Sequence, residues 1–248
     1  MLGGIFTGPR YLLRGFRLIT RSGLRRYFIA PLCINIAVFT GLIWLSASWY
    51  WMLLDWLLPA GDTWWAAIAY GVLWVIFALA VAVFLFFVFT IVANLIAAPF
   101  NALLAVRVAQ TLDGERRDHT SPATALTVWG SLTNELRKLV YFLVVMLLAL
   151  LLTSIPVVNI AAPFVWILVG CWMPALEYLA YPMENDGLRF TQVRRTARAN
   201  LPITLGFGAA VMVMTLIPVL NLMVMPASVA GATGIWIEEM RSRSLTVR

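Results

Sequence analysis

Ser22-Gly23-Leu24-Arg25-Arg26 is the stretch whose residue types point most directly to chemistry. A hydroxyl, a glycine and two planar guanidinium groups stand just before a long apolar run, which puts Arg25 and Arg26 at or near the first turn of a helix. A helix start already carries partial positive charge, so unpaired cations are mildly disfavoured there. They become favourable once an anion docks at the same place. Free main-chain N–H groups from Gly23 onward, the Ser22 hydroxyl and two guanidinium forks offer many donors to a tetrahedral oxyanion. A lipid phosphate satisfies the same donors, and these residues alone do not choose between the two.

A second set of polar residues interrupts otherwise apolar sequence. Ile155-Pro156-Val157-Val158-Asn159-Ile160 recurs as Ile217-Pro218-Val219-Leu220-Asn221-Leu222, and each copy is followed by a further proline, Pro163 or Pro226. Proline removes a main-chain donor and biases its predecessor away from helix, and asparagine readily caps a following helix. Interrupted segments at corresponding positions of a repeat are a recurrent mark of a transport path, where open backbone lines a cavity. Asn35, and Asn94 and Asn101 around Pro99, place more amides at proline-associated positions. Each can line a polar path or hold helices together through interhelical hydrogen bonds. Glu177 follows an apolar run directly. With Glu184, Asp186 and Arg189 it is expected to form an ion-pair network, and as an acid beside a membrane segment it is also a candidate gating or proton-coupling carboxylate.

Other chemistries lack their residues. There is no G-x-x-x-x-G-K-[ST] phosphate loop for ATP-driven pumping. His119 is the single histidine and sits beside Asp118, Thr120 and Ser121 in a polar loop, which gives no basis for a catalytic triad. One histidine and two cysteines inside apolar runs, Cys33 and Cys171, make neither a metal site nor a disulfide framework. The reading is therefore of a non-enzyme that needs no metal or other cofactor. The net charge of +7 comes almost wholly from arginine, with Lys138 the lone lysine, and no basic and aromatic soluble domain exists to engage nucleic acid.

The elements that position these residues follow from hydropathy. Of 248 residues 62% are apolar and 12% charged, with mean hydropathy +0.89; a soluble domain carries about twice that share of charge. The charges leave four uninterrupted runs, 27–54, 63–106, 139–176 and 199–237, each beyond the roughly 18 residues that suggest a membrane span. Arginines 10, 14, 17, 21, 25 and 26 precede the first run and place that end in the cytoplasm, while Asp55 to Asp62, acidic and crowded by tryptophan, marks the outer interface. The last two runs begin and end on basic boundaries, and two legs within either would reach only about 25 Å each against a ~30 Å hydrocarbon core. The chain is thus expected to be an all-α integral membrane protein. Two long transmembrane helices, 27–54 and 63–106, are followed by two hemi-penetrating, re-entrant helical hairpins, 139–176 and 199–237, in a single membrane domain. Residues 10–21 form an amphipathic helix in the interface, with Leu12, Leu13, Phe16 and Ile19 toward the acyl region and Arg10, Arg14, Arg17 and Arg21 among headgroups. On these residues alone, a membrane scaffold or anionic-lipid-binding protein is the competing reading.

Several of these features occur together in a known order. Gly23-Leu24-Arg25-Arg26, Pro31 with Asn35, Ala97-Ala98-Pro99-Phe100-Asn101, the repeated Ile-Pro-Val-x-Asn words, Glu177-Tyr178 followed by Tyr181-Pro182, and Pro226 leading to Gly231-Ala232-Thr233 resemble the CysZ family of bacterial sulfate transporters. The resemblance covers nearly the whole chain. It implies sulfate uptake across the bacterial inner membrane for cysteine synthesis, by a multi-pass homo-oligomer in contact with membrane lipids. It also implies a sulfate site at Gly23, Leu24, Arg25 and Arg26, with Ser22 adjoining. Asn35, Asn101, Asn159, Asn221 and Glu177 are then the candidates for the permeation path.

Overall fold

The computed structural model describes residues 3–21, 23–57, 64–113 and 128–242. Ser22, the 58–63 connection, the loop that carries His119 and the tail from residue 243 lie outside the described residues. Among the described residues there is no strand. The α-helices are α1 (Gly3–Ile19), α2 (Arg26–Leu57), α3 (Trp64–Asp113), α4 (Val128–Thr153), α5 (Ala162–Asn185), α6 (Phe190–Ala199), α7 (Leu201–Thr215) and α8 (Pro218–Ile235). A 3-10 turn, Val158–Ala161, precedes α5, and a π-helical turn, Trp236–Met240, continues α8.

The chain divides into two units, Ile29–Phe100 on one side and the residues up to Phe28 together with those from Asn101 on the other. The first holds most of α2 and α3. Its surface leaves Trp44, Trp49, Ile68, Leu79 and Phe84 exposed, large apolar side chains that suit lipid rather than water. Neither α2 nor α3 ends where its charge-free run ends. Past Arg107, α3 continues to Asp113 because Leu104 and Val108, four residues apart, keep one face buried in the second unit.

That second unit contains the main core. Leu12 and Ile19 of α1 are buried with Leu176 and Leu179 of α5, Phe207 of α7, and Ala227 and Ile235 of α8. Helix α1 begins at Gly3, earlier than the arginine spacing indicates, and is seated on α7 and α8. Close approach is possible because Gly15 faces the Ala227 carbonyl, where any Cβ would collide with backbone. Leu12 and Ile19, expected in the acyl region, are thus spent on protein packing. Arg10, Leu13, Arg14 and Arg17 point outward.

The legs of the first expected hairpin are longer than its charge-free run. Helix α4 has 26 residues and α5 has 24, about 39 and 36 Å. Two stretches, Asn134–Thr153 and Val158–Asn185, are long and apolar enough to cross a membrane. Both helices run past the charge-free stretch because charge does not end a helix: α4 continues through Lys138 and α5 through Glu177, which neutralise each other. The later pair is shorter, with 15 residues in α7 and 18 in α8, about 22 and 27 Å. Helices α6 and α7 meet at a 103° bend around Asn200, just before Pro202, whose ring disfavours continued helix.

Both copies of the repeated word lie where helices break. In each, the asparagine N–H donates to the isoleucine carbonyl four residues earlier at 2.8 Å, Asn159 to Ile155 and Asn221 to Ile217. Only the second copy opens a regular helix at once, with Pro218 at its first turn, where a missing N–H costs nothing. Neither asparagine caps with its side chain. That expectation is corrected because neither stands at an N-cap: Asn159 lies inside the 3-10 turn, two residues before the Ala161 cap of α5, and Asn221 lies inside α8, four residues after its Ile217 cap.

Candidate functional site

The connection between α1 and α2 is a tight turn. Gly23 has φ of 97°, a left-handed conformation that glycine adopts without strain. Leu24 tucks into the core at 5% exposure and anchors the turn. The amides of Leu24 and Arg25 both donate to the Arg21 carbonyl, at 3.1 and 3.3 Å, and that of Tyr27 donates to Leu24 at 3.1 Å. The expectation of free main-chain donors from Gly23 onward is therefore narrowed: the turn uses the amides of Leu24, Arg25 and Tyr27 to close itself.

The two arginines diverge. Arg25 Nε donates to the Thr20 carbonyl at 2.7 Å, which holds its stem against the end of α1. Arg26 lies over the ring of Tyr27, 5.0 Å from its centroid, and Nη2 donates to the Tyr27 hydroxyl at 3.3 Å. Arg107, from the far end of α3, donates to the same hydroxyl through Nε at 3.2 Å, and its Nη1 reaches Gln110 Oε1 at 3.0 Å. Both Arg25 and Arg26 are exposed.

The other candidates are distributed. Asn101 is 4% exposed, beside the Tyr181 hydroxyl. Asn159 and Asn221 are exposed at the two helix breaks. Asn35 lies within α2, its side chain outside the described residues. Glu177 faces Lys138, whose Nζ is 3.1 Å from Glu177 Oε1 and 2.9 Å from Glu135 Oε2.

The expected network of Glu177, Glu184, Asp186 and Arg189 is corrected in the same way, since these acids turn to partners brought in by the fold. Glu184 accepts from Asn134 Nδ2 at 3.1 Å, while Asn134 Oδ1 accepts the Phe190 N–H that opens α6. Asp186 accepts from Trp236 Nε1 at 2.8 Å and pairs with Arg241, which also pairs with Asp113. Beside this group Arg14 pairs with Glu238 at 2.7 Å, and the Tyr11 hydroxyl donates to Glu238 at 2.8 Å. Burial, reinforced by the Glu238 carboxylate, pushes the Tyr11 phenol well above its ordinary value. Sequence reasoning missed Lys138, Asn134, Tyr27 and Arg107 as site residues. Lys138 and Arg107 carried a signal, as cations at the edges of apolar runs.

Among the described residues no group of His, Cys, Asp and Glu could hold a metal ion. The arrangement around Tyr27 is cationic and solvent-facing, suited to holding an oxyanion rather than to bond chemistry. Residues 11–226 match a family described as "Sulfate transporter CysZ/Etoposide-induced protein 2.4". Relatives named "Sulfate transporter CysZ" include those of Pseudomonas syringae pv. tomato, 40% identical over 97% of this chain and 96% of its own, and Pseudomonas fluorescens, 38% identical over 98% of both. A more distant one, from Pectobacterium atrosepticum, is 34% identical over 97% of this chain and 88% of its own.

Proposed function

Since the chain belongs to the sulfate transporter CysZ/etoposide-induced protein 2.4 family, we propose that it carries sulfate across the bacterial inner membrane for assimilation into cysteine, as a homo-oligomer. The anion is captured at the Gly23-Leu24-Arg25-Arg26 turn, with Ser22 adjoining. The observation that supports this most is the pairing state of the two arginines. Neither Arg25 nor Arg26 forms an ion pair among the described residues, although Arg14 and Arg241 in the same unit do. A guanidinium left without a carboxylate keeps its donors for a ligand.

Asn35, Asn101, Asn159, Asn221 and Glu177 are the candidates for lining the permeation path. The first hairpin is re-entrant in this reading. The Lys138–Glu177 pair ties α4 to α5 at one level, and from it to the break each leg runs 15 residues, about 22 Å, less than the ~30 Å core. The outward arginines of α1 lie among lipid headgroups.

Purified protein reconstituted in liposomes should take up radiolabelled sulfate above empty vesicles, and Arg25→Ala/Arg26→Ala should abolish both uptake and binding while assembly persists. No flux from a correctly assembled sample supports instead a scaffold whose arginines hold anionic lipid. Unchanged sulfate affinity in the double variant removes the site assignment.

A further inference from the structure

Tyr27 receives two guanidinium groups on one oxygen. Arg26 Nη2 and Arg107 Nε lie 3.3 and 3.2 Å from its hydroxyl, and neither arginine has a carboxylate partner among the described residues. Two cations drawn to one neutral oxygen repel each other, and among the described residues no carboxylate pairs with either to offset this. A phenol oxygen that accepts both donors has no lone pair left, yet its own O–H remains free to donate. Both arginines are exposed, so the side away from the protein is open. Guanidinium forks that converge from two helices, with a hydroxyl donor between them, match a tetrahedral oxyanion of two negative charges. Arg25 is anchored by its Nε bond to the Thr20 carbonyl.

We propose that Arg107 is the second guanidinium of the anion site, facing Arg26 across the Tyr27 hydroxyl, and that this pair selects doubly charged tetrahedral oxyanions over singly charged ones. The proposal rests on reading the Gly23–Arg26 turn as the sulfate site, and adds to it a residue eighty positions further along the chain. Gln110 holds Arg107 through Nη1 at 3.0 Å and keeps the fork aimed. With one guanidinium, a site of this kind meets a single negative charge and loses its reason to prefer two.

The test is calorimetric titration of the full-length protein in detergent with sulfate and with perchlorate, which has the same shape and one charge. Arg107→Gln should weaken sulfate binding about tenfold or more, the scale of a lost charged hydrogen-bond pair, and should change perchlorate binding much less. Arg107→Lys should recover part of the sulfate preference, Tyr27→Phe should weaken sulfate about threefold or more, and Arg198→Gln, an exposed arginine on α6, should match the parent. If Arg107→Gln fails to give monodisperse protein, Arg107→Lys and Tyr27→Phe carry the same comparison. Sulfate affinity and preference unchanged in the Arg107 variants, with Arg26→Gln still losing sulfate, overturns the role of Arg107 and leaves the turn site standing. Equal loss of both anions overturns the selectivity role. Parent-like binding by Arg25→Gln/Arg26→Gln sinks the turn site itself, and this proposal with it.

Discussion

A Cβ on Gly23 would meet nothing within 4 Å, so what this position demands is backbone conformation, not room. Gly23→Ala is therefore a purely conformational perturbation worth about 1–2 kcal/mol, and should lower both the melting temperature and the sulfate affinity, since the turn positions Arg25 and Arg26. Melting and titration on one sample check this. Lys138 has a different sensitivity: at 6% side-chain exposure it meets two carboxylates, one half-exposed. Lys138→Met should destabilise by about 2 kcal/mol, the lower side of a broken buried pair because water screens Glu135. Adding Glu177→Gln should return part of that loss in a thermal double-mutant cycle. What the sequence revealed at this scale was residue type and adjacency, enough to single out Arg25 and Arg26. It did not reveal that the turn's own hydrogen bonds occupy the amides of Leu24 and Arg25, nor that Arg107 comes to Tyr27, because both depend on the chain closing on itself.

Elements were legible where hydropathy alone determines them, and less so where side-chain pairing does. The breaks at both Ile-Pro-Val-x-Asn words could be read from proline, whereas the extension of α4 and α5 beyond their charge-free runs depends on Lys138 meeting Glu177 across the hairpin. The depth of the first break is a direct test of the re-entrant reading. In a variant free of the native Cys33 and Cys171, Ile160→Cys should resist an impermeant maleimide applied from either side of the membrane; modification from the side opposite Arg26 shows instead that α4 and α5 cross. Helix α1 was expected to float on lipid, but the Gly15 contact seats it in protein. Gly15→Ala should cost about 1–3 kcal/mol by overpacking. The bond from Tyr11 to Glu238 that holds the same helix has a defined pH window. The folded phenol stays protonated above its ordinary value of 10.0, so its contribution is full below about pH 10 and is lost as pH rises beyond, where the unfolded chain ionises. Tyr11→Phe should flatten the fall in melting temperature between pH 9 and 11.

For the whole molecule, composition sufficed to identify a helical membrane protein, and motif order sufficed to indicate its family. Neither disclosed that the two ends of the described chain are joined. Glu238 binds Tyr11 and Arg14, while Arg241 reaches Asp113 at the end of α3 and Asp186 just after α5. Ending the chain after Ile235 should release α1, seen as rapid tryptic cleavage at Arg10 to Arg21 that the full chain resists. This closure also bears on how the protein is made. Helix α1 leaves the ribosome first, but α7 and α8, the surfaces that bury Leu12 and Ile19, are synthesised some 200 residues later, a wait of about 10–40 s at ordinary elongation rates. Throughout that interval α1 has an uncovered apolar face beside a row of arginines, a surface that suits an anionic membrane. If a membrane covers that face in the meantime, cells poor in anionic lipid should accumulate a protease-sensitive, late-maturing form.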